Sequence, residues 1–203
     1  MIAILDYGIG NVASIHNMLK KIGAVSVVTN DIDIISKAEK LILPGVGSFD
    51  ACASKFYSSG LMEILNQKVI IEKKQLLGIC VGMQLLMEGS EEGKLPGLGW
   101  VKGECKRFYN LKQHNLKIPH MGWTDVLASK RSKLLGNMTE QSRFYFVHSY
   151  HTVLHNLEDE LLSAFYSYKF TAAFEHDNIF GVQFHPEKSH KYGMRLFEEF
   201  ATM

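Results

Sequence analysis

Cys80 sits in the stretch LLGICVGMQLL, residues 76–86, with Gly78 two residues before it and Gly82 two residues after it. A cysteine that only fills core volume behaves as a small apolar side chain and needs no glycine beside it. The pattern G-x-C-x-G between two apolar runs is that of a nucleophile elbow, a strand-to-helix turn so tight that its neighbours must be small. Such a turn lifts the sulfur clear of the sheet and aims it at a helix N-terminus, where free N–H groups and the helix dipole favour a thiolate. The chemistry expected of it is nucleophilic attack with a covalent intermediate.

A thiolate nucleophile needs a proton carrier, and that base needs an orienting group. The stretch GVQFHPEKS, residues 181–189, supplies His185 and Glu187 with Pro186 fixing the chain between them. Residues two apart in an extended segment project to the same side, so Glu187 can hold one ring nitrogen while the other faces Cys80. Taken alone, His185 reads as a strand end and Glu187 as a solvated carboxylate; beside an elbow cysteine they read as a base and its orienting carboxylate. A third stretch, LILPGVGSF, residues 41–49, ends an apolar run in a glycine-rich turn. The backbone of Gly45, Val46 and Gly47, with the N–H of Val81 directly after the nucleophile, is the candidate oxyanion region. An ordinary strand-ending turn is the competing reading.

These groups need a scaffold that brings strand ends together. The first half of the chain alternates short apolar runs (MIAILDYG, AVSVVT, KLIL, QLLGI) with amphipathic stretches. Val12, Ile15, Leu19 and Ile22 recur at helical spacing, and an acidic residue opens DIDIISKAE as a helix cap. Residues 49–71 read as helical. Strands alternating with helices imply right-handed crossovers and a parallel sheet, with catalytic groups beyond its carboxyl edge. The second half is rich in Tyr, Phe and Val with few helical stretches. RFYFVHSYHTVL, LLSAFYSYKF, TAAFEHD and IFGVQFHP read as strands of antiparallel hairpins, and HKYGMRLFEEFAT reads as a final helix. The expected fold is α/β: a mostly parallel central sheet with helices on both faces, plus antiparallel hairpins, in one domain spanning 1–203.

Composition removes other classes. With 203 residues, 46% hydrophobic and 21% charged, the chain has ordinary globular usage. A formal charge of +1 lacks the electrostatic footprint of a nucleic-acid binder. No apolar run approaches a membrane span and the start has no signal-peptide pattern, so a cytoplasmic location is expected. Cys52, Cys80 and Cys105 are an odd, widely spaced set that fits neither a disulfide framework nor a zinc site, and no cofactor or metal is expected.

Together the three motifs resemble the triad-type, class I glutamine amidotransferases. DYGIGN, LPGVGSF, GICVGMQLL, EGSEEG, IPHMGW, YFVHSY and GVQFHPEKS, running from residue 6 to residue 189, are similar to the glutaminase subunits of imidazole glycerol phosphate synthase. IPHMGW and YFVHSY discriminate these from other triad glutaminases. The resemblance implies that Cys80 attacks the side-chain amide of glutamine, that His185 carries the proton, and that Glu187 orients His185. It implies an oxyanion turn that rearranges before donating, and glutamine held by Gln84, Glu92, Ser149 and Tyr150. It also implies ammonia transfer to a (β/α)₈-barrel cyclase in a heterodimer, with no role for nucleic acid or membrane.

Three residues are candidates for the partner face. Asn11 follows a Gly-x-Gly turn and reads equally as a helix cap. Trp123, flanked by Pro and Gly, reads as a loop-borne aromatic anchor, and Lys188 is placed at the interface by the resemblance. Two departures fall in the same regions: GNVASI lacks a basic residue after GN, and Thr124 stands where asparagine is usual. Two other functions compete: a paralogue feeding ammonia to a sugar amidotransferase of surface-polysaccharide synthesis, and a catalytically silent regulatory subunit. The intact Cys80, His185 and Glu187 argue against the silent subunit.

Overall fold

The computed structural model describes residues 1–109, 111, 116–136 and 142–203. In chain order its elements are β1 (Ile2–Leu5), α1 (Val12–Lys21), β2 (Ser26–Thr29), α2 (Ile32–Ser36), β3 (Lys40–Gly45), α3 (Phe49–Ser58), α4 (Met62–Leu65), β4 (Gln75–Cys80), α5 (Val81–Leu85), β5 (Gly89–Ser90), β6 (Gly103–Arg107), β7 (His120–Ala128), β8 (Arg143–His148), β9 (Tyr150–Leu154), β10 (Glu160–Tyr166), β11 (Tyr168–His176), β12 (Ile179–Val182) and α6 (His190–Thr202). The twelve strands among the described residues belong to one sheet, whose main path runs β2-β1-β3-β4-β12-β11-β10-β7-β8.

The first five strands of that path are parallel, and their residues are almost wholly apolar, as strands covered on both faces require. From β12 onward the main path is antiparallel. β6 and β9 pair antiparallel beside it, and β9 also touches β11. The helices group as α1 with α6 and α3 with α5. The acidic cap expected for α2 is Asp31, whose carboxylate accepts the Asp33 N–H at 2.8 Å.

Three expectations need correction. The helical run over 49–71 is interrupted: α3 stops at Ser58, and Gly60 at φ +75° makes the left-handed turn that ends it. After α4 the chain winds as a π-helix from Asn66 to Ile71. LLSAFYSYKF is a hairpin, not one strand, because Ser167 adopts φ +65° and folds β11 back on β10. RFYFVHSYHTVL likewise breaks at Ser149, sending β8 to pair with β7 and β9 to pair with β6.

The sheet is held to α5 by a close approach of backbones. A Cβ on Gly82 would lie 2.0 Å from the Leu43 carbonyl oxygen, and one on Gly45 would lie 2.3 Å from the Gly82 nitrogen. No side chain fits in either place. Gly82→Ala is therefore expected to cost about 3 kcal/mol or more in chemical denaturation. Gly89→Ala, where an added Cβ meets nothing within 4 Å, should stay within about 0.5 kcal/mol of the parent.

Candidate active site

Cys80 is the last residue of β4 and immediately precedes α5, and its backbone is left-handed at φ +54°, ψ −114°. That conformation is costly for any residue with a Cβ and persists only where the surroundings impose it. Here they do: a Cβ on Gly78 would lie 2.8–2.9 Å from Leu86, Gly82 and Met83. The two glycines that frame Cys80 are the residues that let the turn close. Cys80 lines a cavity of about 330 Å³ together with Val46, Gly47, Val81, Gln84, Glu92, Ser149, Tyr150, His185 and Lys188. The structure thus brings together all but two of the candidate catalytic, oxyanion and glutamine-binding residues around one cavity. Gly45 lies directly behind it, in register with Cys80, and Glu187 lies behind His185.

His185 follows β12, which runs parallel to β4, so both chains reach the same edge of the sheet. Its backbone N–H donates to the Tyr145 carbonyl at 2.9 Å, and its own carbonyl accepts the Ser189 hydroxyl at 2.7 Å. With the main chain fixed, the ring places Nδ1 2.8 Å from Glu187 Oε1, and the imidazole and the Cys80 sulfur line the same cavity. The two side chains of the His185–Glu187 pair are only 2% and 1% exposed, so water screens neither. Burial works against a charged ring, but the hydrogen bonds and charges of Cys80 and Glu187 outweigh it and push His185 up to about 10. The folded value lies above the unfolded one near 6.5. The pairing therefore contributes stability that is complete below that pH and is lost as pH rises through about 10.

The other two cysteines are unsuited to attack. Burial raises Cys52 to about 11 and Cys105 to about 12, leaving both as thiols at neutral pH. Cys52 has a different task, since its Sγ donates to the Val46 carbonyl at 3.3 Å. In a trans peptide the next N–H points the opposite way, so Gly47 directs its N–H away from Cys52. The Tyr7 hydroxyl donates to the Pro44 carbonyl, fixing the strand side of the same turn. Glu92 fixes the helix side: its Oε2 accepts the Phe49 N–H at 2.8 Å, at the start of α3. Gln84 is 2% exposed and donates to the Tyr150 carbonyl at 3.1 Å and to Gln183 Oε1 at 3.0 Å.

The partner-face candidates divide. Asn11 occupies the N-cap position of α1, but its side chain makes no capping bond. Trp123 is not on a loop: it stands in β7, 38% exposed, stacked on His190 at 5.6 Å and edge-on to Tyr145. Pro119 and the glycine at 122 suggested a loop, yet Gly122 is accommodated inside the strand at φ +133°. Lys188 places its ammonium 6.0 Å from the centre of the Tyr145 ring and lines the cavity rim.

Sequence reasoning missed Gln183, whose Nε2 points at the Cys80 sulfur at 3.8 Å, and His148, which also lines the cavity. Gln183 carried a signal. It is a lone amide in the apolar strand IFGVQF, two residues before His185 and therefore on its side of the chain.

A tight elbow, a buried imidazole held by a carboxylate and a backbone turn beside the sulfur are the parts of an acyl-transfer site. The family model described as "Glutamine amidotransferase class-I" matches residues 3–203. The chain belongs to the class I glutamine amidotransferases. Among relatives of this amidotransferase, the imidazole glycerol phosphate synthase subunit HisH 2 of Methanococcus maripaludis is 54% identical over 98% of both chains. The protein of the same name from Pseudomonas aeruginosa is 49% identical over the full length of both. Among solved structures, a glutamine amidotransferase 19% identical in sequence superposes with a TM-score of 0.72, covering all of this chain and 99% of the other. At that identity the likeness is one of fold.

The raised His185 value has a direct check. Imidazole nitrogen NMR is expected to show His185 as imidazolium up to about pH 10, and Cys80→Ala to move the midpoint downward because it deletes one of the two raising partners. An unchanged midpoint would show that the Cys80 sulfur does not act on His185.

Proposed function

We propose that this chain is the glutaminase subunit of imidazole glycerol phosphate synthase, hydrolysing glutamine to glutamate and ammonia for a (β/α)₈-barrel cyclase in histidine biosynthesis. The observation that carries the proposal is the buried Glu187–His185 pair sharing one cavity with Cys80 at a strained elbow. The full-length identity to the synthase subunits of two organisms supports the pathway.

The reaction follows from the site. The Cys80 thiolate attacks the side-chain carbonyl carbon of glutamine, forming a C–S bond and an oxyanion. The oxyanion lies among the Val81 N–H, at the start of α5, and the backbone of Gly45–Gly47. As the C–N bond breaks, imidazolium His185 gives its proton to the nitrogen and ammonia leaves. His185, now neutral, takes a proton from the water that attacks the γ-glutamyl thioester, and glutamate and the thiolate are regenerated. Glu187 supplies the negative charge that stabilises the imidazolium throughout. Gln84, Glu92, Ser149 and Tyr150, which line the same cavity, hold glutamine there. Asn11, Trp123 and Lys188 form the face that docks the cyclase, with the Trp123–His190 stack as its aromatic anchor.

One observation favours a second reading. Both relatives carry the number 2 in their names. A duplicated glutaminase is free to serve a sugar amidotransferase of surface-polysaccharide synthesis with the same chemistry.

Glutamate release from glutamine, measured with and without the histidine-pathway cyclase and its nucleotide ligand, separates these. Strong stimulation by the cyclase, abolished in Cys80→Ala and kept in Cys52→Ser and Cys105→Ser, is the expected result. Turnover that ignores this cyclase would move the protein to the second reading, and substantial turnover by Cys80→Ala would overturn the glutaminase mechanism.

A further inference from the structure

Two buried histidines outside the triad are linked to it by a continuous run of hydrogen bonds. His148 Nδ1 lies 2.8 Å from the Tyr150 carbonyl, His148 Nε2 lies 3.0 Å from His120 Nδ1, and His120 Nε2 lies 2.8 Å from the Thr124 hydroxyl. The geometry fixes every proton. A carbonyl only accepts, so His148 carries its hydrogen on Nδ1. Its Nε2 is then an acceptor while the ring is neutral, and His120 must donate from Nδ1. That leaves His120 Nε2 to accept from Thr124. Both rings are kept neutral: burial lowers His120 to about 4, and burial together with His120 lowers His148 well below the usual histidine range. Phe146 and Tyr166 stack on His120, and Phe108 and Phe170 lie against both rings, so neither is free to turn.

The run continues on the far side of Tyr150. The same carbonyl accepts from Gln84 Nε2 at 3.1 Å, Gln84 donates to Gln183 at 3.0 Å, and Gln183 Nε2 faces the Cys80 sulfur at 3.8 Å. Because His148 and Gln84 both donate into one carbonyl, the direction of donation reverses there. The chain of bonds therefore cannot pass a proton from end to end; what it does is fix positions. Its outer end depends on an unusual bend. In a straight strand, residues four apart are separated by about 13 Å, yet His120 and Thr124 bond side chain to side chain within β7. Gly122, between them at φ +133°, takes a backbone conformation that a residue with a Cβ rarely adopts.

We propose that Thr124, His120 and His148 are positioning residues that hold the Tyr150 carbonyl and Gln84 in place for glutamine, tying the cavity to the strand that carries Trp123. The proposal rests on the glutaminase reading, and its test separates the two. Imidazole nitrogen NMR on the intact protein is expected to show both rings neutral and protonated on Nδ1, the less common form of free histidine. Kinetics are measured at the partner concentration that saturates wild-type turnover. Thr124→Val should raise the KM for glutamine roughly tenfold, the scale of one buried hydrogen bond, and leave kcat within about twofold. Thr124→Ser should restore KM. Gly122→Ala, which meets no atom within 4 Å but strains the bend, should shift KM in the same direction.

A His148 protonated on Nε2 would overturn the proposal, as would a Thr124→Val protein that is less stable but unchanged in KM. If the wild type shows these protonation states but releases no glutamate, the glutaminase reading fails and the assigned purpose fails with it. Normal turnover with the wrong ring protonation removes the positioning chain alone.

Discussion

Between Leu43 and Gly82 the backbones of β3 and α5 approach so closely that a methyl group on Gly82 would sit 2.0 Å from a carbonyl oxygen. That contact draws the start of α5 down onto the sheet, and the chain has one residue, Cys80, in which to turn from strand to helix. The left-handed backbone of Cys80 is the consequence. The parallel register then does the rest. Gly45 pairs with Cys80 across β3 and β4, so the glycine-rich turn emerges beside the sulfur. Val182 pairs with Ile79 across β12 and β4, so His185 emerges three residues later at the same edge. Parallel strands bring their carboxyl ends to one side, and three consecutive neighbours in this sheet each deliver one part of the site.

The environment assigns opposite states to residues of one kind. His185, paired with the Glu187 carboxylate in the cavity that holds the Cys80 sulfur, is held protonated. His120 and His148, only 2% and 6% exposed among aromatic rings, with a hydroxyl and a carbonyl as partners, are held neutral. The difference is the charge of the partner, since all three are buried. The cysteines divide in a related way. Cys52 and Cys105 are driven toward the thiol by burial, and Cys80 alone shares a cavity with an imidazolium. One scaffold thus holds a charged imidazole, two inert packing thiols and two neutral hydrogen-bonded rings, all from the same two side-chain types.

Much of this was legible in the sequence because its causes are local. Glycines two residues from a cysteine, a proline between histidine and glutamate, and apolar runs ending in glycine all leave marks within a few residues. What stayed hidden depends on distant partners. The turn at Ser167 uses a left-handed backbone without a glycine to announce it, so β10 and β11 read as one strand. Trp123 read as a loop residue because its flanking proline and glycine are turn-formers, yet pairing with Tyr145 of β8 keeps it in a strand. The links from Gln183 to Cys80 and from His148 to His120 join residues 103 and 28 apart in sequence. Nothing near either residue encodes them. The candidate triad was readable; the bonds that hold its surroundings in place were not.

The central claim is that Cys80, and neither of the other two thiols, carries the acyl group of the substrate. Its most direct test is to mix the protein with glutamine and its partner, quench in acid within the first turnover, and locate the modification by peptide mass spectrometry. The account predicts a γ-glutamyl thioester on the peptide bearing Cys80 and its absence from Cys80→Ala. Glutamate formation with the adduct on the peptide of Cys52 or Cys105, or with no adduct at any cysteine under conditions that trap it, would contradict the account.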